Sequence, residues 1–403
     1  MKIGILTFNT ALNFGANLQA CSTYCYLKNH GYNPIFISYT PYDATDESEC
    51  TPAKQVSVQR DFQKSFASTE SCHNAKDVAQ VLQNHEIHNV IIGSDAVAQH
   101  HPFLSRISFP TKRFVSVSHP ASDKMFPNPF WGEFLDFVDF PVNVSLMSVS
   151  NQQSDYNLFT SKEKKSMMRF LSRMSFISVR DDWTQSMYRN ISNNQLVPDI
   201  TPDPVFAFNQ NVKDLPTRDD IKVKYNLPEK YILLAIRRGR SVSKAWVESF
   251  EKVCADNGCE CIGLPFPYGY SPLNVVKHKI NLPLSPIDWY SIIKYSDGYV
   301  GHNMHSIVTA LHNSVPCYSF DQYGIRHLSQ FVNKKSSKIY HILKVAGFPE
   351  YRNPSCRLLE MTPPAETIFN MLQSFDKDRC RLFAEDYYQK YINMMKTIES
   401  KFI

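Results

Sequence analysis

GYVGHNMHSIVTALHNSVPCYSFDQYG, residues 298–324, is the stretch whose reading decides the fold. GYVG at 298–301 and VPCYSF at 315–320 are short apolar runs of strand type, and between them Met304, Ile307, Val308 and Leu311 recur at helical spacing. The order is strand, helix, strand. His305, Thr309 and His312 fall together on the other helical face. His305 thereby sits in the first turn of a helix that starts at a strand's carboxyl end, where open α/β sheets bind ligands. Free backbone N–H groups and the helix dipole at that position favour an anion. The spacing alone also fits three structural histidines with satisfied hydrogen bonds, and both readings stay open at this point.

Working outward, the same alternation runs through the chain. KIGILTF (2–8) reads as a strand, NTALNFGAN as a polar loop, LQACSTYCYLKNH as a helix ended by Gly31, and PIFISY as a second strand. NVIIG (89–93), RFVSVS (113–118), NVSLMSVS (143–150) and FISV (176–179) follow as strands, with helical segments such as KEKKSMMRFLSRM between them. This is the pattern of parallel strands buried on both faces. Proline and aspartate interrupt it after about 195, and YILLAI, SKAWVESFEKVCADNG, ECIGLPF and SPIDWYSIIKYSD restart it. The expected fold class is α/β, with two Rossmann-like domains facing each other across a cleft. The expected division is 1–200, a linker at 201–228, a second domain at 229–375 and a C-terminal helix at 376–403. Residues 40–60 read as a mobile surface loop.

Bulk properties exclude several classes. A chain of 403 residues with 43% hydrophobic and 20% charged residues has an ordinary globular composition and enough length for two cores. A net charge of +5 without a basic run does not imply nucleic acid. MKIGILTFNT is too short an apolar run for a signal peptide, and no stretch approaches the roughly 18 apolar residues that span a bilayer. A cytoplasmic location is expected. The 10 cysteines read as reduced core thiols, while Cys254, Cys259 and Cys261 lack the spacing of a zinc knuckle.

No GxGxxG, Walker A, G-x-S-x-G or HExxH motif is present. Taken in order, however, the segments starting with KIGILTFNTALNFGANLQACSTYCYLKNHGYNPIFISY, then VIIGSDAV (90–97), FISVRDDWT (176–184), TPDPVFAF (201–208), SPIDWYSIIKYSDGYVG (285–301) and HNMHSIVTALHNSVPCYSFDQYG resemble the polysaccharide pyruvyl transferases. The resemblance implies a glycosyltransferase B-like fold, with the acceptor on the first domain and the donor on the second. It further implies a ketal-forming enzyme that moves a pyruvyl group from phosphoenolpyruvate onto two hydroxyls of a sugar, in a surface polysaccharide or glycolipid precursor, and releases phosphate. Phosphoenolpyruvate is a co-substrate in that scheme, and neither a cofactor nor a metal is required. The implied acceptor is a sugar on a lipid-linked or nucleotide-linked carrier, with peripheral association at the inner face of the membrane as an open variant. Two alternatives remain: a glycosyltransferase-like enzyme using a nucleotide sugar, and a non-catalytic glycan-binding relative.

The resemblance also places residues. Arg180, in SVRD, matches the arginine used on the donor; an ion pair with Asp181 or Asp182 is its alternative. His305 matches the histidine of an arginine, any residue, histidine motif, and is the expected general acid. The arginine position of that motif is Asn303, which can donate a hydrogen bond to the donor but carries no charge. His302, if protonated, or Arg237, Arg238 and Arg240 of RRGR would have to supply what is missing; an exposed loop is the alternative for that cluster. Asp95, at a strand end, is the expected base for the sugar hydroxyl, or else caps the following turn. Ala96 and Ala98 stand where relatives carry larger side chains, which would alter the acceptor pocket. Asn13, Gly15, Asn17 and Ser94 are placed at the acceptor, Gly15 because a glycine lets a ligand approach the backbone.

Overall fold

The structure is a computed structural model that describes residues 1–111, 114–237, 242–327, 331–354 and 362–403. Strands β1 (Lys2–Leu6), β2 (Asn33–Tyr39), β3 (Ser68–Cys72), β4 (Asn89–Asp95), β5 (Asn143–Val149), β6 (Phe176–Val179) and β7 (Asp199–Ile200) form one sheet in the order β3-β2-β1-β4-β5-β6-β7. Strands β8 (Tyr231–Ala235), β9 (Glu260–Gly263), β10 (His278–Lys279), β11 (Gly298–Gly301), β12 (Cys317–Asp321) and β13 (Arg352–Pro354) form a second, ordered β10-β9-β8-β11-β12-β13. Every pairing in both is parallel.

Each sheet therefore winds outward from its first strand, then reverses and continues from the other side of that strand. The crevice of such a sheet lies at the reversal, between the first and fourth strands. The central strands are continuous apolar runs because helices cover both faces: Tyr231–Ala235 is buried throughout.

Helix α1 (Phe14–Asn29) follows β1 and stops where Gly31 takes a φ of 82°, a conformation glycine adopts without strain. It begins earlier than the loop reading of NTALNFGAN allowed. Phe14–Asn17 is already helical, because the Asn13 side chain caps the amides of Gly15 and Ala16. The mobile loop expected at 40–60 is also different: helix α2 (Ala53–Lys64) occupies its second half. Gln55 and Gln59 of α2 are fully buried, and Gln55 exchanges two hydrogen bonds with the backbone of Leu284 in the second domain, at 2.8 and 2.7 Å. Polarity misled there, since a glutamine that meets a backbone amide on both its atoms can be buried.

The strand expected at RFVSVS belongs to neither large sheet. Phe114–Val117 pairs antiparallel with Ile107–Thr111, and Arg113 lies outside the described residues. The stretch expected as a linker, 201–228, is ordered chain with short helices at Phe208–Asn211 and Arg218–Tyr225, and it buries Val205, Phe206 and Phe208 completely. A 23-residue helix, Lys377–Glu399, ties the domains together. Its Cys380 and Tyr387 join the second core, while Tyr391, Met394, Met395 and Ile398 pack against Ile3, Ile5 and Tyr24 of the first.

Candidate active site

Two helix N-termini meet between the sheets. α1 starts after β1, and helix α3 (Met304–His312) starts after β11, at the reversal point of the second sheet. Asn13 caps α1 through its Oδ1, which accepts from Gly15 N at 2.9 Å and Ala16 N at 3.3 Å; Asn303 caps α3 in the same way, from His305 N at 2.8 Å and Ser306 N at 3.3 Å. The imidazole of His305 lies directly against Gly15. A Cβ built at Gly15 would stand 2.0 Å from His305 Nδ1 and 2.1 Å from its Cγ.

Beneath this contact lies Asp203, nearly inaccessible to solvent. Its Oδ2 accepts from Arg180 Nη1 at 2.7 Å and from Gln19 Nε2 of α1 at 2.5 Å, and lies 3.9 Å from His305 Nε2. The other guanidinium nitrogen, Nη2, is 4.0 Å from Asp95 Oδ1. Arg180 and His305 thus meet at one carboxylate, with Asp95 on the far side of the guanidinium. Arg180 Nε and Nη2 and His305 Nε2 are buried without a hydrogen-bond partner. Burial pushes the His305 imidazole down to about 4, against the pull of the Asp203 and Asp95 carboxylates.

A cavity of about 790 Å³ opens above these groups, between the domains. Asn13, Asp95 and Gln152 line it from the first domain, and Arg237, Asn303, His305, Tyr323 and Lys338 from the second. Asp95 has a φ of 130°, a strained backbone region for a residue with a side chain. Its Oδ1 accepts from Ala96 N at 2.7 Å, so it both caps its turn and faces the cavity. Lys338 opens helix α4 (Lys338–Ala346) and is 8% exposed. Its Nζ donates to Gln152 Oε1 at 3.0 Å across the domain boundary and stands 4.6 Å from the centre of the Tyr323 ring.

Several sequence assignments change in the light of this geometry. Gly15 gives its open face to the His305 ring rather than to a ligand. Asn17 is buried behind the cavity, where its side chain donates to Ala11 O and accepts from Gln63 Nε2. Ser94 also points inward, donating to Ser148 O at 2.8 Å. His302 supplies no charge: its Nδ1 accepts from the Arg237 amide at 3.1 Å, and burial holds the ring at about 4. The Asn303 carbonyl oxygen is committed to capping α3, which leaves the amide for the cavity. Arg180 pairs with Asp203 and Asp95 rather than with Asp181 or Asp182; Asp181 instead caps the following helix. Ala96 lines the cavity, but Ala98 packs in the first core. Arg237 reaches the cavity and is held by Tyr268 Oη at 2.7 Å, whereas Arg238 and Arg240 lie outside the described residues.

Sequence reasoning missed Asp203 and Lys338. Asp203 was hidden in proline-rich chain that resembled a linker, although the flanking prolines and aromatics of TPDPVFAF were a sign of order. Lys338 gave no signal, since KKSSKIY reads as a solvated, basic helix start.

Two parallel sheets, each reversing at the cleft, define the class: a glycosyltransferase B-like enzyme fold. UDP-GlcNAc 2-epimerase from Neisseria meningitidis, bound to UDP-GlcNAc, is similar over 99% of this chain and 100% of its own at 10% identity, with a TM-score of 0.54. Os79 from O. sativa, in complex with U2F and trichothecene, is similar over 99% and 100% at 10% identity, with a TM-score of 0.55. At such identity the likeness is one of fold alone. No curated protein matches the sequence. The family described as polysaccharide pyruvyl transferase matches residues 13–322, and the chain belongs to that family of transferases.

Proposed function

We propose that this enzyme transfers a pyruvyl group from phosphoenolpyruvate to two hydroxyls of a sugar, forming a ketal and releasing phosphate. The observation that carries the proposal is the set of buried, unpartnered nitrogens on His305, which lines the interdomain cavity, and on Arg180, which lies behind the cavity-lining Asp95. Donors of that kind, sealed from water, are suited to an anion with several oxygens.

His305 protonates the vinyl carbon, which becomes the methyl group of the ketal, and Asp95 takes the proton of the attacking sugar hydroxyl. Phosphate then leaves, and the second hydroxyl closes the ring on the cationic carbon. Of the two hydroxyl protons, one replaces the proton His305 gave up and the other departs with phosphate, so the site returns to its starting state. An imidazole that burial holds near 4 is neutral in the absence of a ligand. The incoming polyanion raises its affinity for a proton, so the acid is armed by donor binding. The acceptor is a sugar on a nucleotide or lipid carrier. The work is placed in the cytoplasm, at the membrane's inner face where the carrier is a lipid. Among the described residues no helix is long and apolar enough to cross a membrane.

The test is phosphate release from phosphoenolpyruvate with and without sugar acceptors. Release should depend on the acceptor, and His305→Ala should lower the rate by about 100-fold or more while folding normally, the scale of a removed general acid. A soluble His305→Ala protein with the full rate excludes this role for His305.

A further inference from the structure

Lys338 presents a physical problem that the fold does not solve. Its ammonium is more than nine-tenths buried, and among the described residues no carboxylate lies within ion-pair distance of it. Its polar contact is the neutral amide of Gln152, and its other neighbour is the face of Tyr323. Burying an ammonium with no carboxylate in contact is costly, the more distant Asp95, Asp181 and Asp203 offset only part of that cost, and a ligand that brings negative charge to the amine offsets more of it. Other cations line the same cavity, Arg60, Lys124 and Arg237, but Arg60 is bound to Thr10 O and Gln63 Oε1 and Arg237 to Tyr268 Oη. Around the start of α3, Asn303 is uncharged and occupied with its helix, and His302 is neutral, with its Nδ1 taken by the Arg237 amide.

We propose that Lys338 is the cation from the second domain that grips an oxyanion of the donor, opposite Arg180 of the first. This rests on the reading of the site given above. Gln152 then acts as a latch: it holds the ammonium at the domain boundary, so that both domains contribute to one anion site. The charged groups facing the amine are Arg180, Asp95, Asp181 and Asp203, with His305 beside them. Burial, with the Arg180 charge adding to it, lowers the amine to about 8, so its charge is partly lost just above neutral pH.

The experiment compares wild type with Lys338→Met and Lys338→Arg. Lys338→Met should raise KM for phosphoenolpyruvate at least 10-fold with kcat within about threefold of wild type, while Lys338→Arg stays near wild type. Without ligand, Lys338→Met should melt at a higher temperature than wild type, because a buried charge with no carboxylate in contact has been removed. In wild type KM should climb as pH rises through about 8, and in Lys338→Arg it should not. Calorimetric titration with inorganic phosphate and with pyruvate reads the site without turnover. Loss of the phosphate heat in Lys338→Met assigns the amine to the phosphate, and loss of the pyruvate heat assigns it to the carboxylate. Unchanged KM and unchanged heats for both anions overturn the inference. Failure of wild type to turn over phosphoenolpyruvate, with anion heats that still depend on Lys338, overturns the assigned reaction and leaves the anion site standing.

Discussion

The two helices that meet in the cleft are built alike up to one position. Both follow a sheet strand at its carboxyl end, both are capped by asparagine, and in both the cap oxygen accepts from the second and third residues after it at nearly equal distances. Two residues after the cap they diverge: α1 has Gly15 and α3 has His305. The one with no side chain at this position makes room for the one with an imidazole. A shared frame with one asymmetric position explains how two similar domains hold a single imidazole: the partner helix is its wall.

The largest effect should come from removing what lies under both helices. Asp203 receives Gln19 of α1 and faces His305 of α3, while its ion pair with Arg180 is almost fully buried. Asp203→Asn leaves the guanidinium without its closest counter-charge, and breaking a buried pair from one side costs about 3–5 kcal/mol. Urea unfolding at constant slope should show a loss of that order. A loss below about 1 kcal/mol would mean that the seam is held by apolar packing alone, with Asp203 incidental to it.

Next comes the asymmetric position itself. Gly15→Ala favours the helix by about 1 kcal/mol in propensity, yet its Cβ has no place while the His305 ring stays where it is. The ring must move. Phosphate release should fall by about 100-fold, close to the effect of removing the imidazole outright, in a protein with unchanged helix content. If Gly15→Ala keeps the wild-type rate, the contact between the helices is not what positions the ring.

The same comparison shows what the sequence could reveal. α3 was legible because apolar residues at helical spacing lie between two apolar runs, and this pattern is local. The start of α1 was hidden, because NTALNFGAN is polar and holds a glycine, and only the facing histidine explains why a helix tolerates glycine there. Arg180, His305 and Asp95 could be placed by resemblance, and they do gather. Their common partner Asp203 could not, since its burial depends on chain packed around it from both domains. Lys338 is the extreme case. Nothing within ten residues of it marks a lysine as buried; its environment is made by Gln152 and Tyr323, one of them from the other domain.

The smallest effect should separate the two caps. Replacing an N-cap asparagine by alanine costs about 0.5–2 kcal/mol, depending on whether water can take over the freed amides. Asn13 is exposed although Gly15 and Ala16 are buried, so a water can occupy the place its side-chain oxygen leaves, and Asn13→Ala should fall at the low end of that range. Asn303 is half-buried and one of its amides belongs to His305, so Asn303→Ala should lie near the high end. Asn303→Asp divides stability from function. Aspartate caps as well as asparagine and suits the helix dipole, so unfolding should change by only a few tenths of a kcal/mol, in the stabilising direction. The added charge faces the cavity that is to receive a polyanion, so KM for phosphoenolpyruvate should rise. Were Asn303→Asp to bind that donor as well as wild type, the anion would have to sit away from α3, and the resemblance between the two helix starts would be architectural only.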